Sequence, residues 1–231
     1  MASDTSFGAF REFEDFNVTA IADKPEVDIT AIAGGTTEVI AGDDGRLQIN
    51  GDGGNDEQVG AVSFGRVMYT AGNAWLKMEA RLYLDTIGDY KIYVGFGDSL
   101  ASASETSMSA TADTVSSNTM SDGLAILYDG DSTTDALWAV AQNGDSVTVG
   151  QVLSSIHNLE ASVFKTLGCY LSLDRKSAVW YVDGVEVYRV DGSTLLVDAV
   201  ALVPGVWCYD QATGTNHVVD YLYGSKGRSA A

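Results

Sequence analysis

Several things that proteins are commonly built around are scarce in this chain of 231 residues. There are only 2 cysteines, Cys169 and Cys208, each inside an apolar, strand-like run. That pattern excludes a disulfide framework or a zinc site and makes both residues small core side chains. There are only 2 prolines and 2 histidines, His157 and His217. Cations are few: 13 Lys and Arg face 32 Asp and Glu, for a formal charge of −19 and a pI near 4.1. So acidic a chain is unsuited to phosphate backbones, whose binding rests on cationic neutralisation, and to anionic membranes on the same grounds. Neither nucleic acid nor membrane is an expected partner. No apolar run approaches the ~20 residues of a membrane-spanning helix. The opening MASDTSFGAFREFEDF lacks a charged n-region and an apolar core, so no secretory signal is expected.

What is present is β-sheet chemistry. Hydrophobic residues make up 45% and glycines number 25, which leaves the turns to Gly, Asp and Asn. The length fits one large β domain of roughly 200–250 residues. The most readable stretch is FKTLGCYLSLDRKSAVWYVDGVEVYRV, from Phe164 to Val190. Asp183-Gly184 is a two-residue hairpin signal, because both central positions of a type I′ turn need positive φ. It predicts Val182 opposite Val185, Tyr181 opposite Glu186, Trp180 opposite Val187 and Val179 opposite Tyr188. The preceding loop Asp174–Ser177 predicts Leu173 opposite Ala178, Leu171 opposite Trp180 and Cys169 opposite Val182. Period-2 alternation then puts Cys169, Leu171, Leu173, Ala178, Trp180, Val182, Val185 and Val187 on one apolar surface. Tyr170, Ser172, Val179, Tyr181, Glu186 and Tyr188 form the other face.

Elsewhere, Thr36 to Ile40 and Arg46 to Asn50 read as a hairpin, and Val59 to Tyr69 as an apolar strand. Trp75 to Asp85 is the longest alternation, with Leu76, Met78, Ala80, Leu82 and Leu84 inward. The second wall of the core, opposite the meander, is expected to include Leu76, Met78, Leu82 and Leu84. Tyr90 to Phe96 and Gly123 to Tyr128 follow as strands, the latter apolar enough to be buried on both faces. Residues 99–121, rich in Ser, Thr and Ala, read as a long surface excursion. Gln151 to Ala161 is the one short helix expected, from Val152, Ile156 and Leu159. Asp198 to Tyr209 and His217 to Tyr223 are expected to close the fold as a pair. Phe7, Phe10, Phe13 and Phe16 form a stripe on a helical turn or extended arm that closes an edge or docks on a neighbour. The division is therefore 1–17 as an N-terminal arm or edge segment, 18–224 as one domain and 225–231 as a loose tail. About twelve strands and at most one short helix point to an all-β, antiparallel, two-sheet jelly-roll sandwich.

The chemistry-bearing residues are sparse. Glu79 stands between Lys77 and Arg81 on its strand and reads as an ion-pairing residue. His217 and Asp220 fall on opposite faces, which excludes them as a catalytic pair. Asp129, Asp131 and Asp135 in one loop, and Asp43, Asp44, Asp52 and Asp56 in another, are hard oxygen donors of the kind calcium takes, without an EF-hand pattern. They read by default as solvated turn residues, so no metal, cofactor or catalytic residue is assigned. Trp75, Tyr83, Tyr170, Tyr181 and Tyr188 could form an aromatic platform for a sugar, or pack against loops or partners.

The ordered set Asp15-Phe16, Gly45-Arg46-Leu47-Gln48-Ile49, Leu76 to Arg81, Asp122 to Ile126 followed by Tyr128-Asp129, Trp180 to Val187, and Val218 to Leu222 resembles the concanavalin A-like, laminin-G-like jelly roll over residues 10–224. That family includes lectins, glucan-cleaving enzymes, adhesion modules and virion proteins of tailed bacteriophages. The resemblance implies the fold. Its enzyme branch carries an E-x-D-x-x-E strand that is missing here, so no enzyme is expected. The expected function is a non-enzymatic virion structural protein, a capsid decoration or knob subunit. It would be made in the host cytoplasm and carried on the virion in multiple copies or as a homo-oligomer against other capsid proteins. The alternative is a carbohydrate-binding, lectin-like module or adhesin with a glycan partner.

Overall fold

The computed structural model describes residues 9–16, 28–31, 36–40, 45–50, 57–64, 69–70, 74–88, 90–98, 108–117, 120–130, 132–197, 200–210 and 216–227. The strands of its first half are β1 (Ala9–Glu14), β2 (Asp28–Ala31), β3 (Thr36–Ile40), β4 (Arg46–Asn50), β5 (Glu57–Ser63), β6 (Tyr69–Thr70), β7 (Leu76–Leu84), β8 (Tyr90–Gly97) and β9 (Met108–Thr111). Those of its second half are β10 (Thr114–Ser117), β11 (Gly123–Asp129), β12 (Leu137–Asn143), β13 (Ser146–Val152), β14 (Lys165–Leu171), β15 (Ser177–Val182), β16 (Val185–Asp191), β17 (Ala201–Asp210) and β18 (Asn216–Gly227). Sheet A runs β16-β15-β14-β7-β18-β4-β3, with β1 also on β18. Sheet B runs β13-β12-β11-β8-β17-β5-β2, with β6 also on β17; β9 and β10 form a hairpin of their own. The pairings are antiparallel, and the two sheets stack into the expected sandwich.

β7 shows why. Its inward residues Leu76, Met78, Ala80, Leu82 and Leu84 are buried, and the residues between them are half-exposed, so one strand supplies both core and surface. Each fully buried aliphatic side chain contributes roughly 1.5–3 kcal/mol, and one continuous cluster joins β7, β14 and β15 to β8, β11 and β17. β7 does not lie opposite the meander, as expected, but within it: Cys169 pairs with Met78 and Leu171 with Leu76. The opposing wall is sheet B, reached by a hydrogen bond from Trp180 Nε1 to the Ala125 carbonyl at 2.8 Å and by Cys169 Sγ against the Leu124 carbonyl at 3.5 Å. Both cysteines are free and buried, and burial pushes their thiols up.

The meander itself differs from expectation in register. Leu171, not Leu173, pairs with Ala178, and Cys169 pairs with Trp180. Ser172 and Ser177 close a wider loop, with the Ser172 amide donating to the Ser177 carbonyl at 2.8 Å. A slip of two residues preserves facing, so the apolar surface survives, while Leu173 ends 48% exposed. Across the Asp183-Gly184 turn, Val182–Val185 and Tyr181–Glu186 are paired as expected, but a bulge then sets Trp180 opposite Tyr188. Val185, at the turn, is 55% exposed.

Other expectations are corrected. β17 and β18 do not pair; they sit inside different sheets. Residues 151–161 do not form a helix. β13 runs through Val152, and only Ser155–His157 make a 3₁₀ turn. The helical spacing misleads because Leu153 and Leu159 are the residues buried there, whereas Ile156 is 78% exposed. The segment 99–121 contains the β9–β10 hairpin and is not wholly a surface excursion, since Met108 and Ala110 are buried. Phe10 and Phe13 belong to a strand: β1 pairs with β18, placing Phe13 beside Tyr223, and beyond it Phe16 is buried at a left-handed turn (φ 52°) where its amide donates to Glu14 Oε1 at 2.6 Å. Phe7 and the Phe10 side chain lie outside the described residues. The segment expected as a loose tail is strand as far as Gly227.

His217 points from β18 into the core beside Tyr90, ring centroids 5.4 Å apart. Burial lowers its pKa from 6.5 to about 4, against the opposing influence of the Ile49 backbone and Asp85. A depressed folded-state pKa gives stability that is complete above the unfolded value and is lost as pH falls through the folded one. The contribution of His217 should therefore decline between pH 6.5 and about 4, by about 3 kcal/mol in all. Denaturant unfolding at stepped pH should show His217→Leu with a shallower loss than the unaltered protein in that window, and identical slopes would refute the assignment.

Candidate functional site

A two-sheet sandwich has two outer faces, and here they differ. On sheet B, Ala61, Trp207, Tyr93, Leu127 and Trp138 form one row across five strands, and all are buried. The β9–β10 hairpin covers them, with Met108, Ala110 and Val115, joined by Met120, completing a second apolar cluster. Glycines make room for this cover. A Cβ at Gly97 would lie 2.2 Å from Met120 Sδ, and one at Gly150 2.9 Å from Val115 Cβ. Polar contacts pin the hairpin. The Ala110 amide donates to Asp129 Oδ2 at 2.7 Å, Lys91 Nζ lies 3.9 Å from Asp129 Oδ1, and at the tip Asp113 accepts from the Ser132 hydroxyl at 2.9 Å and the Thr134 amide at 3.0 Å. The Ser132 hydroxyl holds the Asp113 carboxyl below its usual range. Four buried polar atoms on this face, Ser63 Oγ, Trp138 Nε1, Trp207 Nε1 and Gln142 Oε1, have no hydrogen-bond partner among the described residues. Each such atom costs roughly 1–3 kcal/mol.

Asp129 is buried against Lys91 and the hairpin, Asp135 is exposed with its carbonyl accepting from the Asn158 side chain, and Asp131 lies outside the described residues. Asp43, Asp44, Asp52 and Asp56 also lie outside them. Among the described residues no group of three or more His, Cys, Asp or Glu could hold a metal ion. Asp98 and Asp122 serve turns: Asp98 Oδ2 accepts from the Ser121 hydroxyl at 2.6 Å, and Asp122 Oδ1 accepts from the Val197 amide at 2.8 Å.

The outer face of sheet A is open. One row reads Tyr181, Gly168, Glu79, Tyr223 and Phe13 across five strands. Gly168 is required by a close approach, since a Cβ there would lie 2.9 Å from the Met78 carbonyl, and it stands between Tyr181 and Glu79 in the row. Two residues along β14, Tyr170 stacks on Trp75 with centroids 6.4 Å apart and planes at 29°. Burial and the neighbouring Tyr181 push the Tyr170 hydroxyl up. Glu79 accepts from the Tyr221 hydroxyl at 2.8 Å, with Lys77 Nζ 3.9 Å away. Burial, then Glu79, pushes Tyr221 up to about 12. Beyond it Arg81 binds Asp220 at 2.5 Å, and the Arg46 and Arg81 guanidiniums lie 5.0 and 4.3 Å from the Phe164 ring centroid.

Of the expected aromatic platform, Trp75, Tyr170 and Tyr181 are brought together. Tyr83 is occupied by the edge of Phe164 at 4.8 Å, and the bulge turns Tyr188 inward, 5.6 Å from Trp180. Glu79 pairs with Lys77 as expected, but Arg81 reaches Asp220 instead. Tyr221 was not foreseen as part of this face. Strict alternation along β18 puts it on the His217 side, and the bulge between Val219 and Tyr221 reverses that. The carboxylates Glu79 and Asp220 are each held by cations and do not form an acid–nucleophile pair flanking a common gap.

No protein-family model and no curated protein sequence matches the chain. Solved structures do. A Shewanella oneidensis MR-1 protein of unknown function, SO2946, superposes with a TM-score of 0.64 at 11% identity, covering 97% of this chain and 89% of that one. Lectin I from Ulex europaeus, solved with the methyl glycoside of α-L-fucose, gives 0.61 at 10% identity over 95% and 98%. A β-1,3-1,4-glucanase (lichenase) from a mouse hindgut metagenome gives 0.55 at 13% identity over 94% and 99%. The fold is the concanavalin A-like jelly roll. Its neighbours include lectins and glycosidases, at identities that speak for architecture alone.

Replacing Glu79 with Gln removes the carboxylate that holds the Tyr221 proton. Tyr221 should titrate about one unit lower, because a charged acceptor favours the neutral phenol more than an amide does. NMR with labelled tyrosine ring carbons would measure it, with Tyr221→Phe assigning the resonance; an unmoved titration would refute the Glu79–Tyr221 contact.

Proposed function

We propose that this protein is a non-catalytic binding module that recognises carbohydrate on the outer face of sheet A. The observation that carries the reading is the cluster around Gly168, where the Trp75, Tyr170 and Tyr181 rings stand beside Glu79 and its Lys77 and Tyr221 partners. A sugar ring offers an apolar face to aromatic rings and hydroxyls to flanking polar groups, and this surface supplies both at one place. The carbohydrate-binding neighbours support the reading, and so does a Glu79 already engaged by Lys77 and Tyr221, which suits an acceptor better than a general acid.

A second reading is a subunit attached to a virion, decorating a capsid in many copies. Its support is the asymmetry of the faces. With sheet B covered by its own hairpin, the chain keeps one broad open sheet face to set against a larger surface, and its charge of −19 keeps copies apart.

On a glycan array the protein should show saturable binding to at least one saccharide. Tyr181→Ala and Trp75→Ala should each weaken it tenfold or more while the thermal midpoint moves by only a few degrees, as expected for partly exposed positions. An array without saturable binding, or retained affinity in both variants, would reject carbohydrate recognition at this face. Co-sedimentation with intact particles at fixed stoichiometry would then favour the second reading.

A further inference from the structure

The hairpin over sheet B is seated as a ligand would be. Its two strands form a ladder with each other and join the ladder of neither sheet. It lies in a trough that glycines open on sheet B, where Met120 and Val115 fill space that a side chain at Gly97 or Gly150 would occupy, and Met108 packs beside Gly123. The seat is incomplete. Trp138 is 4% and Trp207 1% exposed, yet neither indole N–H finds an acceptor among the described residues, and Gln142 Oε1 and Ser63 Oγ, both fully buried, are equally unmatched. The hairpin thus satisfies the shape of the trough and leaves its hydrogen-bonding groups unanswered.

We infer that the outer face of sheet B is a second binding site, for an extended, uncharged peptide segment of a partner protein, and that the β9–β10 hairpin is its resident stand-in and lid. The unmatched set has two N–H donors and a hydroxyl against one amide acceptor. A peptide backbone presents carbonyl acceptors at regular spacing with an N–H between them, and apolar side chains would take the volume that methionine and valine now fill. A saccharide fits less well, because the trough holds too few acceptors for its hydroxyls. The pins at Asp113–Ser132 and Asp129–Ala110 lie at the hairpin's tip and side, so loosening the tip opens the trough without touching its floor. This inference is independent of the sugar site on sheet A.

The test uses the full-length protein and a synthetic, end-capped peptide that alternates serine with methionine and valine, which is extended, uncharged and carries the side chains that fill the trough. Asp113→Ala removes the tip contacts, and Met108→Asp expels β9 should amide exchange at Ala110 show the first variant still closed. A disulfide between Asp113→Cys and Ser132→Cys, whose native side chains meet at 2.9 Å, locks the lid. The opened variant should bind the peptide at least tenfold more tightly than the unaltered protein, and the oxidised locked variant should not bind until reduced. The Trp138 and Trp207 indole protons should move downfield as they gain acceptors. Peptide binding by neither opened variant, equal binding by the locked protein, unmoved indole resonances, or indole shifts produced by cellohexaose in place of the peptide would each overturn it.

Discussion

The hydrogen bond from Trp180 Nε1 to the Ala125 carbonyl is the contact on which the arrangement of the two sheets depends. Both groups are fully buried, and a buried indole N–H without an acceptor is costly, so the bond fixes which part of β15 lies over which part of β11. Cys169 against Leu124 makes the same crossing one strand along. With Trp180 held inward, alternation leaves Tyr181 outward, and antiparallel pairing extends that choice to Gly168 and Glu79. The outward placing of Tyr181, Gly168 and Glu79 is thus a consequence of a core contact on the other side of the same strands.

The two sheets manage their outer surfaces in opposite ways. Sheet A alternates, with half-exposed Lys77, Glu79, Arg81 and Tyr83 between the buried Leu76, Met78, Ala80, Leu82 and Leu84. In sheet B, β8 and β11 are buried at every residue, because a second apolar layer lies over them. Lys91 and Asp129 are carried into that second layer together, 3.9 Å apart, so that each buried charge faces one of opposite sign.

Much of this was written plainly in the sequence, and what was hidden has a common cause. Period-2 alternation gave β7, the burial of both faces of β11, and the facing of Cys169, Leu171, Ala178, Trp180 and Val182, because facing depends only on parity. The Asp183-Gly184 turn gave its two nearest pairs. Misreadings arose wherever a residue was inserted or a loop widened. The bulge in β16 moved Tyr188 inward, the bulge in β18 brought Tyr221 outward, and the Ser172–Ser177 closure shifted the β14–β15 register by two. None of these has a local signal in residue type. The hairpin at Met108–Ser117 was missed because serine, threonine and alanine mask strands whose apolar content is a methionine, an alanine and a valine. Sheet membership was also invisible: β7 and β14 are far apart in sequence, and nothing in either strand says that they are neighbours.

The bulge that turns Tyr188 inward also guards the end of sheet A. β16 is an outermost strand, and a long regular one would present a row of unpaired amides and carbonyls on which another chain could grow. An extra residue interrupts that row, and Glu186, Arg189 and Asp191 place charge along it, with Glu186 and Arg189 tied to each other at 2.7 Å. The irregularity that cost the platform one aromatic ring therefore makes this edge a poor template for fibre formation.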